Sequence, residues 1–154
     1  MFRPLFFWPL ALLAALTLAA CNDEATDTHP DQLVSKRQAV FKKFTVALEP
    51  LVMVANQRKD FKADEVLLSA QALQALSTQP WAYFTADGNY PPTRAKPEVW
   101  QKPAEFKQAQ DAYLVQVGQL LQAAQTGKLE AVAAAVNGVE RSCKACHTQF
   151  RKAR

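Results

Sequence analysis

Histidine, cysteine and methionine are scarce in this chain of 154 residues, with two, three and two copies respectively. So few donors cannot build a four-ligand metal cage unless they converge in space. Lys and Arg never run longer than two in a row, and they alternate with Asp and Glu along most of the chain, as solvated helix faces do. A formal net charge of +4 is too mild to point to nucleic acid, and no nucleic-acid partner is expected. No stretch alternates with the period of a strand, which argues against a sheet-built domain. What is present, 49% apolar and 21% charged residues, fits one globular domain with a real core.

The first residues stand apart from that domain. "MFRPLFFWPLALLAALTLAAC" carries one cation, Arg3, then an apolar run from Leu5 to Leu18 and small residues before Cys21. This is the pattern of a secretory signal, too short and too thinly flanked for a spanning helix. Leu18-Ala19-Ala20-Cys21 also resembles the bacterial lipobox, in which cleavage leaves an acylated cysteine at the new N-terminus. An ordinary signal with an incidental cysteine is the alternative. Residues 1–20 are therefore expected to be a signal peptide, 21–30 a polar tether lipid-anchored through Cys21, and 31–154 the folded domain. Either way the mature protein is expected outside the cytoplasm, in the periplasm and held at a membrane if Cys21 is acylated.

The domain reads as helical throughout. Leu33, Val34, Arg37, Phe41, Phe44 and Leu48 recur at three and four, and Pro50 is expected to kink or reset this first helix. A second pattern runs from about Asp64 to Ser77 and stops before Pro80. A third starts near Pro103, a good first-turn residue, and ends at Gly127. The fourth runs from Leu129 through Val132, Val136 and Val139 to Cys143, Cys146 and Phe150. The fold class expected is all-α, an antiparallel four-helix bundle with its chemistry on the C-terminal helix.

The connection from Gln79 to Lys102 is long for a bundle loop and implies a task. It holds "PWAYF" at 80–84, a turn at Asp87-Gly88-Asn89, and Pro91, Pro92 and Pro97. Trp81 and Phe84 either cover something large or cap one end of the bundle.

The scarce residues converge in "SCKACHTQF", 142–150. On a helix, Cys143, Cys146 and His147 lie within one turn and share a face. A disulfide redox pair would want a βαβ setting that this chain lacks. Zinc would want a fourth ligand, yet His29 sits in the tether and Cys21 is the expected lipid site. Covalent haem uses all three residues, with two thioether links and one imidazole on iron, and it suits both an export signal and an apolar bundle. One covalent haem c is the cofactor expected.

With these features in place, the chain resembles the cytochrome c′ family, class II c-type cytochromes that carry the haem motif near the C-terminus of a four-helix bundle. The segments concerned are "SKRQAVF", "STQPWAYF", "KPEVW", "EFKQAQDAY" and "CKACHTQFRK", spanning about Asp31 to Lys152. The resemblance implies that Cys143 and Cys146 are the thioether links, that His147 is the proximal iron ligand, and that Arg151 is the basic residue on the proximal side. It implies that Arg37 lies near the haem propionates, with Trp81 part of the haem surround. Phe41 takes the place where relatives have an apolar side chain over open iron or a ligating methionine. Surface solvation for the two arginines and plain core for Phe41 are the plainer readings.

Phenylalanine offers iron no lone pair, so a five-coordinate, high-spin haem is expected. Met53 lies twelve residues beyond Phe41, roughly 18 Å along an ideal helix, and His29 precedes the bundle. An apolar distal pocket without a hydrogen-bond donor would favour nitric oxide and carbon monoxide over dioxygen. The function expected is gas binding at the cell envelope by a redox-active haem protein that is not an enzyme. The alternative is a lipid-anchored electron carrier to an unknown redox partner, and a homodimer is left open.

Overall fold

The computed structural model describes residues 25–153, so the expected signal peptide and Cys21 lie outside the described residues. The helices are α1 (Leu33–Ala55), α2 (Ala63–Leu76), α3 (Glu98–Gln101), α4 (Pro103–Gln125) and α5 (Leu129–Phe150). The four long ones form a ring in which α1 packs on α2 and α5, and α4 packs on the same two. Each submits one stripe to the core. In α1 the buried residues Val34, Arg37, Val40, Phe44, Ala47, Leu51 and Val54 recur at three and four. Leu51, Val117, Leu120, Val132, Val136 and Val139 reach 0% exposure, so the fourfold contact is closed to water along its length.

Pro50 does not reset α1, which continues through it to Ala55. The missing N–H would have bonded the carbonyl of Val46, and Val46 is 72% exposed, so water can take its place. Gly127 ends α4 as its spacing implied. Its φ of 65° is left-handed, and its N–H donates to the carbonyl of Ala124 at 3.2 Å. Nothing lies within 4 Å of an added Cβ. Gly127→Ala should therefore register backbone strain alone, a loss of about 1 kcal/mol in denaturant unfolding with an unchanged m-value.

The long connection is ordered rather than structureless. It makes 3₁₀ turns at Gln79–Tyr83 and Ala86–Gly88, then crosses to the end of α5 before entering α3. There Ala95 pairs antiparallel with Arg151. The Lys96 N–H donates to the carbonyl of Phe150 and the Lys152 N–H to that of Arg94, both at 2.8 Å. The Arg94 guanidinium donates back to the carbonyl of Lys152, and Lys96 Nζ donates to that of Thr148. This seam ties down the helix end that carries His147.

The polar segment before α1 is also fixed. Asp27 is 8% exposed and accepts from the N–H groups of Ser35 and His29 and from the Tyr90 hydroxyl. The Tyr90 hydroxyl accepts from the Val34 N–H in turn, and the His29 ring stacks on Tyr90 at 4.2 Å. Two orphan N–H groups of the first turn of α1 are thus satisfied from outside the helix. Burial pushes the Asp27 carboxyl up, but the hydrogen bonds from Ser35, His29 and Tyr90 outweigh it and hold the group below its ordinary 3.8.

Candidate haem site

On α5, Cys143, Cys146 and His147 share the face that buries Val136, Val139 and Phe150. Both thiols are free and half-buried. Burial pushes the Cys143 thiol up, and burial together with Cys143 pushes Cys146 up to about 11. Thiols raised in this way are poorly suited to a thiolate redox couple. Burial, then the cations Arg151 and Arg94, hold the His147 imidazole below its ordinary 6.5. The ring is neutral at pH 7 with a lone pair to give. Arg151 Nη1 lies 3.5 Å from His147 Nε2, so the expected proximal basic residue is beside the imidazole.

An aromatic cluster joins this face to α1. The Phe41 ring meets Phe44, Trp81 and Phe84 at centroid distances of 5.3, 5.9 and 6.3 Å. Trp81 also meets Phe106 and Tyr113, and Phe106 meets Phe150 on α5. Trp81 therefore points inward, bridging the main core and the smaller cluster of Val99, Phe106 and Phe150, instead of merely capping the bundle.

Arg37 is 4% exposed, so surface solvation does not explain it. Its guanidinium donates to the carbonyls of Tyr83 and Gly88, each at 3.0 Å, and to Thr93 Oγ1, and its Cζ lies 4.7 Å from the Phe84 ring centre. A Cβ on residue 88 would stand 2.8 Å from Arg37 Nη1 and 2.9 Å from the Tyr83 carbonyl, which is why glycine forms that side of the cradle. All three acceptors are neutral. The one carboxylate acting on this cation is Asp27, from beyond hydrogen-bond range and against the cost of burial.

Two donors in the same cluster are unpaired: Trp81 Nε1 and the Tyr113 hydroxyl are buried without a hydrogen-bond partner. Burial, with a smaller effect from Cys143, pushes the Tyr113 phenol up, so it keeps its proton. These two donors belong to the wider aromatic cluster and were not counted in the expectation of an apolar distal pocket. A buried unpaired donor costs about 1–3 kcal/mol, so two in one place argue for an acceptor. Haem c fits this set: thioethers would use Cys143 and Cys146, iron would use His147, and propionate carboxylates would add to the single negative partner of Arg37 and offer acceptors to neighbouring donors.

Sequence reading reached Cys143, Cys146, His147, Arg151, Arg37, Phe41 and Trp81, and the structure gathers them at one end of the bundle. It did not reach Gly88 and Thr93, which hold Arg37, or the polar character of Tyr113. A tyrosine on an otherwise apolar stripe with Phe106, Val117 and Leu120 was the one available signal for the last.

Comparison with known proteins agrees with this arrangement. A family model described as Cytochrome C' matches residues 32–151. Cytochrome c' of Alcaligenes xylosoxydans xylosoxydans is 32% identical over 126 residues, 80% of this chain and 95% of that protein. Cytochrome c' of Cereibacter sphaeroides is 30% identical over 144 residues, 91% and 93% of the two chains. Among solved structures, a carbon monoxide-bound variant of the Alcaligenes xylosoxidans protein superposes with a TM-score of 0.77 at 30% identity, covering 83% of this chain and 100% of that one. A nitric oxide complex of another variant gives the same TM-score and identity over 84% and 100%.

Proposed function

The chain belongs to the cytochrome c′ family, whose members carry covalently bound haem c, and from that premise we propose that it binds nitric oxide and carbon monoxide on five-coordinate, high-spin iron at the cell envelope. The observation that carries the reading is the surround of Phe41. The three rings that meet it, Phe44, Trp81 and Phe84, offer no iron ligand. Because α1 runs unbroken through Pro50, Met53 stays roughly 18 Å along the helix and does not compete. The nitric oxide and carbon monoxide complexes of the Alcaligenes relatives support the choice of ligand.

Bound haem supplies a Lewis-acidic, redox-active iron. The protein's part is arrangement. His147 presents a neutral imidazole, kept so by burial and by Arg151 and Arg94. Arg37, locked in its carbonyl cradle, would compensate propionate charge, and Phe41 would stand in the path of an incoming ligand. No histidine or carboxylate is among the rings around Phe41 to move protons, which favours a binding protein over an enzyme. Export and acylation at Cys21 rest on the N-terminal sequence and place the protein at the periplasmic face of a membrane.

An absorption spectrum of the ferrous protein, before and after carbon monoxide, tests this. A five-coordinate spectrum that converts on addition of gas is expected. A six-coordinate, low-spin spectrum indifferent to the gas would transfer the reading to electron carriage.

A further inference from the structure

We propose that the lipid-anchored protein stands with the haem-bearing end of its bundle against the phospholipid bilayer, a reading that rests on acylation of Cys21. The buried carboxylate of Asp27 fixes the chain at the start of α1, through bonds to Ser35, His29 and Tyr90. Six peptide steps separate Cys21 from Asp27. Even fully extended they reach only about 20 Å. The start of α1 lies at the same end as the long connection, the N-terminus of α4 and the C-terminus of α5, and that end holds Arg37, Phe41, Trp81 and His147.

The opposite end, at residues 56–62 and 126–128, is a full helix away. α4 alone has 23 residues, about 34 Å. An inverted bundle would demand a tether longer than the chain supplies, so the bundle either stands on its haem end or lies on its side. A local cluster of cations favours the first. Arg94, Lys96 and Lys152 meet at the seam, and the Arg94 and Lys96 side chains donate to main-chain carbonyls, which leaves their charge available to anionic headgroups. A diatomic ligand dissolved in the bilayer, or a membrane-embedded redox protein, would then meet the iron at short range.

The full-length lipoprotein, purified with its haem and reconstituted into phosphatidylethanolamine–phosphatidylglycerol vesicles, tests the proposal. With Cys143 and Cys146 in thioethers and Cys21 acylated, an introduced cysteine is the available thiol for a nitroxide. Asp87→Cys labels the haem end and Lys128→Cys the other. Nickel-chelating lipid should enhance relaxation severalfold more at position 87 than at 128. Inserting about twenty Gly and Ser residues between Ala25 and Thr26 should shrink that difference. Equal enhancement at both labels in vesicle-bound protein, or more at 128 than at 87, overturns the orientation and leaves the anchor standing, whereas a difference that persists with the longer tether upholds it and assigns it to the charge of the seam. Protein that carries no acyl mass and fails to float with vesicles overturns the anchor and the orientation with it.

Discussion

Replacing both thiols, Cys143→Ser with Cys146→Ser, is expected to leave no haem on the polypeptide after extraction with acidic organic solvent, whereas the unaltered protein keeps all of it. The contrast is large because thioether bonds are covalent and the His147 ligand is not. Acid protonates the imidazole and the solvent dissolves the apolar packing, so only sulfur can hold the group. Serine matches cysteine closely in size, so both half-buried positions on α5 should still pack. Each single variant should retain one link, visible as a shifted absorption band with haem mass still on the chain. Complete haem retention in the double variant would falsify the assignment of both links.

Phe41→Ala should raise the carbon monoxide association rate by roughly ten- to a hundredfold while the resting spectrum stays high-spin. The ring is packed against Phe44, Trp81 and Phe84, so an incoming ligand has to push it out of those contacts. Displacing a phenylalanine from apolar surroundings costs about 1.5–3 kcal/mol, and each 1.4 kcal/mol is about tenfold in rate. Alanine removes that cost without supplying a ligand. Phe41→Met should act in the opposite sense, driving the spectrum toward low spin by placing a thioether where relatives use one. Stopped-flow mixing of the ferrous variants with gas decides the matter, and an alanine variant no faster than the parent would move Phe41 off the ligand's path.

The three residues proposed to hold the haem were legible from type and spacing, because two thiols and an imidazole within one helical turn admit few chemistries. The helices were legible for a similar local reason: apolar spacing, Pro103 at the start of α4 and Gly127 at its end are signals within one element. Arg37 is different. The motif around it suggested its role, yet its cradle comes from Tyr83, Gly88 and Thr93, 46 to 56 residues away, and no local pattern announces such a meeting. Pro50 was expected to kink or reset a helix that continues through Leu51 and Val54, and the helix does continue, since the cost of a lost helical bond depends on whether water reaches the freed carbonyl. Residues 25–30 look like plain polar linker until Tyr90, 63 residues from Asp27, supplies the surface on which the carboxylate docks.

The seam between residues 94–96 and 150–152 has a bearing on how freely this protein can vary. Two of its four bonds run between main-chain atoms, so that pair is blind to the side chains it carries. Substitutions at Ala95 or Lys152 can alter the charge or bulk beside the imidazole with all four bonds kept, and those at Arg94 or Lys96 give up one side-chain bond each while the main-chain pair still holds the end of α5. Proline is the exception, since at Lys96 or Lys152 it would remove the N–H that closes the pair. A backbone seam thus separates the placement of His147 from the composition of the surface around it, and lets the one persist while the other drifts.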